Sequence, residues 1–489
     1  MQPTPADGDP TLIAASADTA ALLGLDPREF GTVEFLRCFA GVEVPRAWKP
    51  WAQCYGGHQF GSWAGQLGDG RAISLTETVN ASGERWELQL KGAGKTPYSR
   101  RADGRAVLRS SLREYVASEA MAWLGIPTTR ALSLVATNDG VVRDMFYNGN
   151  AKLEPGAVVC RVARSFLRFG TWQLPASRSE DANVALLTDY TIAHHYPHLQ
   201  GQEGARAAWF KEVCERTARL AAAWQAVGFV HGVLNTDNMS ILGDSIDYGP
   251  YGWMELYDPV FTPNTTDFDG RRYCYANQPQ VMMWNCAQLA NALLSAGVLT
   301  RDEAQAGVDA YPEALKAAYT ARFAAKLGLR EHNEALLRTL MELLATDSVD
   351  FTRSFRALSA VPATLPVPNC ADAELLQPLR GVLPDGMDVE RVAAWAAWVR
   401  SYRAALVGDA MPAAERAALQ DGANPWVVPR NYLLQIAIEA AEKGDFSELE
   451  RLLDVLRTPF TEQPGAEKYA AAAPEWASRP GVCMLSCSS

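Results

Sequence analysis

The stretch that most constrains this chain runs from residue 229 to residue 249, with the sequence FVHGVLNTDNMSILGDSIDYG. Its glycines, asparagines and aspartates flank a short apolar run, so it predicts a turn, a short strand and a second turn. Asn238 and Asp247 fall on the two turns. Amide and carboxylate oxygens are hard ligands that suit Mg²⁺ bound to nucleotide phosphates. The 229–249 stretch therefore predicts a site for a metal ion and a nucleotide.

The spacing of this stretch is that of a protein-kinase catalytic loop followed by the kinase metal motif. His231 and Asn238 match the two ends of H-R-D-x-x-x-x-N, and the later segment Asp247-Tyr248-Gly249 resembles D-F-G. One departure matters, because Val233 stands where a kinase has its catalytic Asp. The nearest carboxylate is Asp237. The residues therefore predict a kinase metal site without the usual kinase base.

Length and composition exclude several classes of protein. A chain of 489 residues is too long for one core, so two lobes and an appendage are expected. The net charge of −11 argues against a nucleic-acid partner. No apolar run has transmembrane length and the start lacks a secretory signal, so no membrane partner is expected. Nine cysteines without paired spacing before the tail predict reduced thiols in a cytoplasm.

Four regions are expected along the chain. Residues 1–50 predict a loosely ordered lead-in, residues 51–170 an N-lobe-like nucleotide-binding region, and residues 171–360 a C-lobe-like catalytic region. After a Pro-rich joint, residues 371–489 predict a helical extension with a cysteine-containing tail. The expected fold class is α+β, a protein-kinase-like two-lobe fold with an additional helical C-terminal region.

A glycine-rich segment over residues 55–75 predicts an anion-binding turn. Glycines allow backbone N–H groups to approach an anion closely. The segment Gly68-Asp69-Gly70 is expected to form a hairpin turn, with Arg71 following it in position to pair with phosphate oxygens. A plain β-hairpin rim is the alternative explanation of this segment, because short motifs match by chance.

The next segment has the order of a kinase N-lobe. Residues 86–91, WELQLK, alternate like a strand and end at Lys91, as the third strand of a kinase does. The helix predicted over residues 110–123 carries Glu114, which can pair with Lys91. Ser111 and Glu114 also have the spacing of a capping box. The order of glycine loop, strand Lys and helix Glu favours the ion pair.

Further predicted strands would place arginine side chains along one side of the cleft. Residues 131–146 predict a β-hairpin that turns at its Asn-Asp-Gly, and residues 158–163 predict a strand that carries Arg161. Arg164 and Arg168 follow that strand. If these arginines lie beside a nucleotide cleft, they would neutralise the polyphosphate by bidentate contacts. The alternative is that they are ordinary surface arginines.

Together these motifs resemble the selenoprotein O family, pseudokinase-fold enzymes that transfer AMP from ATP to protein hydroxyls. The resemblance covers nearly the whole chain, through YGGHQFGSWAGQLGDGRA, LQLKGAGKTPYSRRADGRAVLRSSLREY, CRVARSFLRFG, HGVLNTDNMSILGDSIDYGP and the C-terminal NYLLQIAIEAAEKGDFSELERLL. It implies a protein adenylyltransferase that modifies Ser, Thr or Tyr hydroxyls and releases pyrophosphate. It also implies ATP as the substrate and Mg²⁺ or Mn²⁺ as the cofactor.

The resemblance implies a role for each matching residue. Asp237 would be the proton acceptor, Asn238 and Asp247 would hold the metal, and Glu114 would pair with Lys91. The residues implied to contact the nucleotide are Gly68, Gly70, Arg71, Lys91, Asp103, Gly104, Arg161, Arg168 and Asp247. Family members with selenium carry it third from the end, where this chain has Cys487. With Cys483, this residue is a candidate redox pair on the tail.

Two alternatives to AMP transfer stay open at this point. In the family the nucleotide is implied to lie flipped relative to a kinase, which places the α-phosphate where attack occurs. The alternatives are a protein kinase with Asp237 as a displaced base and a non-catalytic nucleotide-binding scaffold. Val233 favours the flipped enzyme and the scaffold over the kinase. The full set of metal ligands favours an enzyme over the scaffold.

Overall fold

The computed structural model describes residues 1–146, 148–367 and 369–486. The strands, in chain order, are β1 (Thr11–Ala15), β2 (Gly56–Gln59), β3 (Ser62–Gln66), β4 (Ala72–Val79), β5 (Arg85–Lys91), β6 (Ala106–Val107), β7 (Arg130–Arg143), β8 (Lys152–Ala163), β9 (Phe229–Val230) and β10 (Gly252–Trp253). The helices are α1 (Ala17–Leu23), α2 (Val33–Phe39), α3 (Leu108–Trp123), α4 (Phe169–Ser177), α5 (Asp181–His195), α6 (Ala205–Val227), α7 (Gln278–Ser295), α8 (Arg301–Lys326), α9 (Glu334–Thr346), α10 (Phe351–Ala357), α11 (Asp372–Leu375), α12 (Val389–Asp409), α13 (Ala413–Ala423), α14 (Asn431–Ala441) and α15 (Ser447–Leu456).

The main sheet is antiparallel, with the strand order β1-β7-β8-β5-β4 and with β6 paired to β8. Successive side chains of a strand point to opposite faces. In β8, Val158 and Cys160 belong to an apolar cluster shared with α1 and α2. Val159 belongs instead to the cluster that contains α3. Arg161 shares the face of Val159, which directs its guanidinium toward Glu114 of α3.

Strand β5 uses the same alternation to serve two purposes. Leu88 and Leu90 pack into the cluster on the α1 and α2 face. Gln89 and Lys91 therefore point to the α3 face, where Lys91 contacts Glu114. The strand predicted over residues 86–91 is confirmed, since it lies within β5. One strand thus supports an apolar core on one face and a charged site on the other.

The helices after β8 surround the long helix α6. Its side chains Trp209, Phe210 and Val213 are fully buried. The helix ends at Gly228, with φ of 70°, and a Cβ there would lie 2.9 Å from the ring of Phe351. This glycine turns the chain directly into β9 and the 229–249 stretch. Helices α14 and α15 reach back to α3. The α+β class, kinase-like with a helical C-terminal region, is confirmed.

Among the residues that the structure describes, no helix has both the length and the apolar character needed to cross a membrane.

The expectation of a loosely ordered lead-in over residues 1–50 is wrong. Strand β1 pairs with β7 at the edge of the main sheet, and α2 buries Phe35 and Phe39 against the sheet. The Ala, Asp and Pro content hid these few apolar side chains, whose spacing is too sparse to identify a strand and two short helices. The expected boundaries between the four regions stay predictions, and the sheet already begins at β1.

The hairpin expected over residues 131–146 is also wrong. Strand β7 continues through the whole Asn-Asp-Gly sequence and pairs with β8 on both sides of an irregularity between Ala136 and Gly140. Asn138 has φ of 56° there. An Asn in the left-handed region can form a bulge as well as a turn. Here the chain forms the bulge because β7 pairs with the long strand β8, and the local sequence does not reveal that partner.

The prediction of a hairpin turn at Gly68-Asp69-Gly70 is wrong, because the turn of this segment lies at other residues. Those residues connect β3 to β4, and the amide of Asp69 donates to the carbonyl of Gln53. The actual two-residue turn is Phe60-Gly61, between the paired residues Gln59 and Ser62. Both turn residues have positive φ, 51° and 85°, as the right-handed twist of a hairpin favours. The glycine-rich rim therefore forms one hairpin and one separate cleft-lining connection.

A buried lysine at the end of α8 forms no ion pair with any of the described residues. Lys326 is 2% exposed, and its Nζ lies 4.3 Å from the ring centroid of Phe355 and 5.5 Å from that of Phe351. Burial lowers the pKa of Lys326 from 10.5 to about 7. Between these values the unfolded chain binds more protons than the folded chain. The destabilisation is therefore greatest below pH 7 and lessens as the pH rises toward 10.

We expect the substitution Lys326→Met to stabilise the protein in a pH-dependent way. Removing the buried ammonium should raise the free energy of unfolding by on the order of several kcal/mol at pH 6 and by roughly half as much at pH 9. Thermal unfolding of the full chain at the two pH values measures this difference. Lys316→Met, at an exposed position of the same helix, is the control. An equal gain at both pH values would contradict the buried-charge explanation.

Candidate active site

A cleft of about 800 Å³ opens between the main sheet and the 229–249 stretch. The residues predicted from the sequence that line it are Gly68, Gly70, Arg71, Lys91, Asp103, Gly104, Arg161, Arg168, Asn238 and Asp247. Val233 also lines the cleft, at the position where a kinase has its catalytic Asp. The structure thus brings the predicted nucleotide-binding and metal-ligating residues together around one space.

Glu114 joins the two cations that enter the cleft from the sheet. Its Oε2 lies 2.6 Å from Lys91 Nζ, and its Oε1 accepts from Arg161 Nη1 at 3.2 Å. Burial lowers the pKa of Lys91, and Glu114 opposes that shift. The capping box at Ser111 is absent, because α3 begins at Leu108 and Ser111 lies inside the helix. The carboxylate of Glu114 is therefore available to orient both cations.

Asp247 lies between two arginines. Its Oδ2 accepts from Arg168 Nη2 at 2.8 Å, and its Oδ1 accepts from Arg161. Burial alone would raise the pKa of Asp247, but Arg168 and Arg161 outweigh burial and hold the pKa well below its usual range. Its φ of 55° lies in the left-handed region, which Asp tolerates better than most residues. The carboxylate is therefore ionised and held at the floor of the cleft.

Asn238 and Asp247 form a donor set suited to Mg²⁺ or Mn²⁺. Asn238 Nδ2 donates to the carbonyl of Val233 at 3.0 Å, which leaves its amide oxygen for the cleft. Across residues 1–146, 148–367 and 369–486, no cluster of three or more His, Cys, Asp or Glu side chains could hold a metal alone. Mg²⁺ is commonly held by one or two protein oxygens together with phosphate oxygens and water. The site fits an ion that arrives with a nucleotide.

Asp237 lies beside the cleft, on the 3-10 turn Thr236–Asn238. It is 8% exposed, and Gln59 Nε2 donates to its Oδ2 at 3.2 Å. Its Oδ1 is buried without a hydrogen-bond partner among the described residues. A Cβ at Gly57 would lie 2.7 Å from this Oδ1. Burial raises the pKa of Asp237 to about 6, and the bond from Gln59 opposes that shift. The carboxylate thus keeps one free acceptor oxygen.

Two buried polar residues that position the arginines were not predicted from the sequence. Asp69 accepts from Tyr55 Oη at 3.2 Å and from Gln89 Nε2 at 3.3 Å, and it lies 3.5 Å from Arg168 Nη1. Gln89 in turn accepts from Arg161. The alternation of polar side chains along β5 was a signal that could have identified Gln89. Asp69 gave no such signal, because it sat within an expected turn.

The remaining arginines divide between the cleft and the surface. Arg143, which was not predicted, donates from both terminal nitrogens to the Asp103 carboxylate, at 2.6 and 2.7 Å. This contact fixes the loop that carries Asp103 and Gly104 at the rim of the cleft. For Arg164 the sequence left two alternatives open, a nucleotide contact and an ordinary surface position. The structure favours the second, because Arg164 pairs with Glu84 at 3.1 Å, is half-exposed and lies outside the cleft lining.

The tail contacts the loop that follows the 229–249 stretch. The amide of Leu485 donates to the carbonyl of Pro263, and the amide of Thr265 donates to the carbonyl of Leu485, each at 2.8 Å. Cys483 is a half-buried free thiol. Cys487 lies outside the described residues, so the redox pair stays a prediction.

The fold and the site define a kinase-like nucleotide-binding enzyme. Its sheet carries the Lys91–Glu114 ion pair, and the facing stretch supplies Asn238 and Asp247. It differs from a protein kinase at Val233, which leaves the cleft without a base at the kinase position.

Comparison with known proteins agrees with this class. The family model described as "Protein adenylyltransferase SelO" matches residues 5–457. A protein of Azoarcus sp. (strain BH72) named "Protein nucleotidyltransferase YdiU" is 51% identical over 494 residues, which cover 100% of this chain and 93% of that protein. A protein of the same name from Xanthomonas axonopodis pv. citri (strain 306) is also 51% identical, with the same coverage. The chain belongs to the protein adenylyltransferase SelO family and is a nucleotidyltransferase enzyme.

Among solved structures, one similar chain is "ROP2 from Toxoplasma gondii: A virulence factor with a protein-kinase fold and no enzymatic activity". The TM-score is 0.24 and the sequence identity is 13%, over 67% of this chain and 86% of that one. A likeness of this size says nothing about the activity of this chain.

Proposed function

We propose that this enzyme transfers AMP from ATP to Ser, Thr or Tyr hydroxyls of proteins, with Asp237 as the proton acceptor. The observation that supports this most is the position of Asp237. It directly precedes the cleft-lining Asn238 and has one buried oxygen without a hydrogen-bond partner among the described residues, whereas Val233 occupies the kinase base position. A proton acceptor displaced in this way suits attack at a phosphate other than the γ-phosphate. Family membership supports the same reaction.

The proposed reaction balances as a single displacement at phosphorus. The acceptor hydroxyl oxygen forms a bond to the α-phosphorus, and its proton passes to Asp237. The bond from the α-phosphorus to the bridging oxygen breaks, and pyrophosphate leaves with the electron pair. Lys91, Arg161 and Arg168 lie on the inner side of the cleft, where they can stabilise the charge that develops on pyrophosphate. Arg71 can add a further contact at the rim.

Asn238 and Asp247 would hold the Mg²⁺ or Mn²⁺ ion. Such an ion supplies charge neutralisation for the phosphates when it is bound. In the structure, Arg161 and Arg168 occupy both oxygens of Asp247. The nucleotide phosphates can draw these arginines away, because guanidinium groups pair with phosphate as well as with carboxylate. ATP and free thiols both fit the proposed location in the cytoplasm.

The products of a single reaction test this proposal. The enzyme is incubated with ATP and Mg²⁺ or Mn²⁺, and phosphorus NMR follows the released species. AMP transfer predicts pyrophosphate in the same amount as protein-bound AMP. Release of ADP together with a phosphorylated protein would support the kinase alternative and contradict the proposal.

A further inference from the structure

A patch of aromatic and arginine side chains, three of them exposed and three half-buried, lies around the β2–β3 hairpin, whose Gln59 contacts Asp237. It combines the β2–β3 hairpin, the loop over residues 268–272 and one residue of α7. We call this patch the hairpin face, and its members are Phe60, Trp63, Phe268, Arg271, Arg272 and Trp284. None of them is among the described residues that line the cleft. It is therefore a surface that nucleotide binding does not explain.

Contacts between rings make the hairpin face continuous. The guanidinium of Arg272 lies 4.9 Å from the ring centroid of Trp284. The His58 ring bridges Trp284 and Trp63, at centroid distances of 5.5 and 5.1 Å. Trp63 is 40% exposed and Phe268 is 48% exposed. Large exposed aromatic side chains that stack on arginines are typical of protein interfaces rather than of ordinary surface.

Phe60 is held in a strained conformation at the tip of this face. Its φ is 51°, in the first position of a two-residue turn that favours Asn or Gly. The left-handed region is unfavourable for a bulky residue, because its Cβ comes too close to the following carbonyl oxygen. The ring is nevertheless 38% exposed and contacts the Tyr273 ring at 5.2 Å. Because this exposed ring adds little to the core, the strain indicates a function for the aromatic side chain.

The hairpin also covers the proposed proton acceptor. Gln59 precedes Phe60, and its Nε2 donates to Asp237 Oδ2 at 3.2 Å. An acceptor hydroxyl would have to donate to the same carboxylate. Gln59 contacts one oxygen of Asp237 and the other oxygen lies under Gly57 of the same hairpin, so a protein that reaches Asp237 passes along the hairpin. The hairpin face is thus continuous with the acceptor side of the active site.

The charge of the face indicates the kind of partner. Within the described part of the chain, no carboxylate oxygen lies within 4.0 Å of a side-chain nitrogen of Arg271 or Arg272, although both pack against aromatic rings. The whole chain has a net charge of −11, and Asp267 and Asp269 precede these arginines in the same loop. The two guanidinium groups are therefore marked by the lack of a direct carboxylate contact and not by a net positive charge of the loop. Arginines without carboxylate partners beside exposed aromatics suit a segment that carries acidic side chains.

We propose that the hairpin face docks the acceptor protein, through a segment with acidic side chains near its acceptor hydroxyl and an apolar side chain that packs on Phe60 and Trp63. This inference rests on the proposed function, because it places the acceptor at Asp237. Arg271 and Arg272 select the acidic side chains, and the hairpin tip supplies the apolar anchor. Aromatic and arginine anchors of this kind carry most of the binding energy in protein interfaces.

The test uses synthetic peptides that each contain one Ser, Thr or Tyr, flanked by Glu and Leu or by Lys and Leu. Each is incubated with ATP labelled at the α-phosphate and, in parallel, at the γ-phosphate. The variants are Phe60→Asn, which suits the positive φ, and Arg272→Glu. The controls are Val79→Asn, at a position 56% exposed on β4, and Lys316→Glu, at an exposed position on α8. Binding of ATP is measured for every variant.

The wild type is expected to label acidic peptides roughly fivefold or more above basic ones, as a hot-spot arginine predicts. Phe60→Asn should reduce labelling of the acidic peptides by a similar factor without lowering the melting temperature, and Arg272→Glu should remove or reverse the charge preference. ATP binding should be unchanged in both.

Equal labelling of the peptides by wild type and both variants would overturn the docking surface. So would α-label on the enzyme itself but on no peptide. Transfer of γ-label with the same dependence on Phe60 and Arg272 would refute AMP transfer while supporting the docking surface.

Discussion

Replacing Asp247 by Ala is expected to abolish metal-dependent nucleotide binding and activity together. Asp247 is the charged member of the metal pair, and its low pKa keeps it ionised across the physiological range. Its loss also leaves Arg161 and Arg168 without the carboxylate between them. Asp247 is also the charged partner of the metal ion, and removing one partner of such a charge pair costs ~2–5 kcal/mol, so the affinity for ATP with Mn²⁺ should fall by about two orders of magnitude or more.

Calorimetric titration with ATP and Mn²⁺ measures this effect, and circular dichroism checks that the variant is folded. Asp244→Ala is the matched control, since Asp244 lies three residues earlier in the same stretch and outside the cleft lining. The control should bind ATP as the wild type does. Normal metal-dependent binding by a folded Asp247→Ala protein would exclude Asp247 as a metal ligand.

Replacing Asp237 should separate catalysis from binding. The predicted proton acceptor does not line the nucleotide cleft, so Asp237→Ala and Asp237→Asn should bind ATP within about twofold of the wild type while turnover falls by roughly two to four orders of magnitude. Asp237→Asn is the sharper variant, because an amide oxygen can still accept from Gln59 and the packing under Gly57 is kept. Incorporation of labelled AMP under saturating ATP measures turnover. Near-normal turnover in the Asn variant would remove Asp237 from the mechanism.

Much of the site could be predicted because its residues follow short-range rules. His231, Asn238 and Asp247 lie within one continuous stretch, although the structure has a 3-10 turn and isolated bridges there instead of the predicted short strand between two turns. The period of two over residues 86–91 predicted the strand that ends at Lys91. The order of strand and helix then brought Glu114 to Lys91. These features depend on local sequence, and the structure reproduces them.

The features that were missed depend on partners distant in the sequence. The pairing of Asp247 with Arg161 and Arg168 joins residues 86 and 79 positions apart, and no local pattern indicates it. The Asn-Asp-Gly within β7 became a bulge because β8 pairs along its whole length. Strand β1 is ordered by β7, more than a hundred residues later. Sequence alone gives the chemistry of such residues but not the neighbour that decides their conformation.

The most direct test of the central claim is the fate of the two labelled phosphates of ATP. The enzyme is incubated with Mg²⁺ or Mn²⁺ and with ATP labelled at either the α or the γ position, and the protein is then separated and counted. Transfer of AMP through Asp237 predicts that the α-label stays on protein, including the enzyme itself, and that the γ-label leaves with pyrophosphate. Retention of the γ-label alone would show a kinase, and retention of neither label with intact ATP binding would show a scaffold. Either result would contradict AMP transfer.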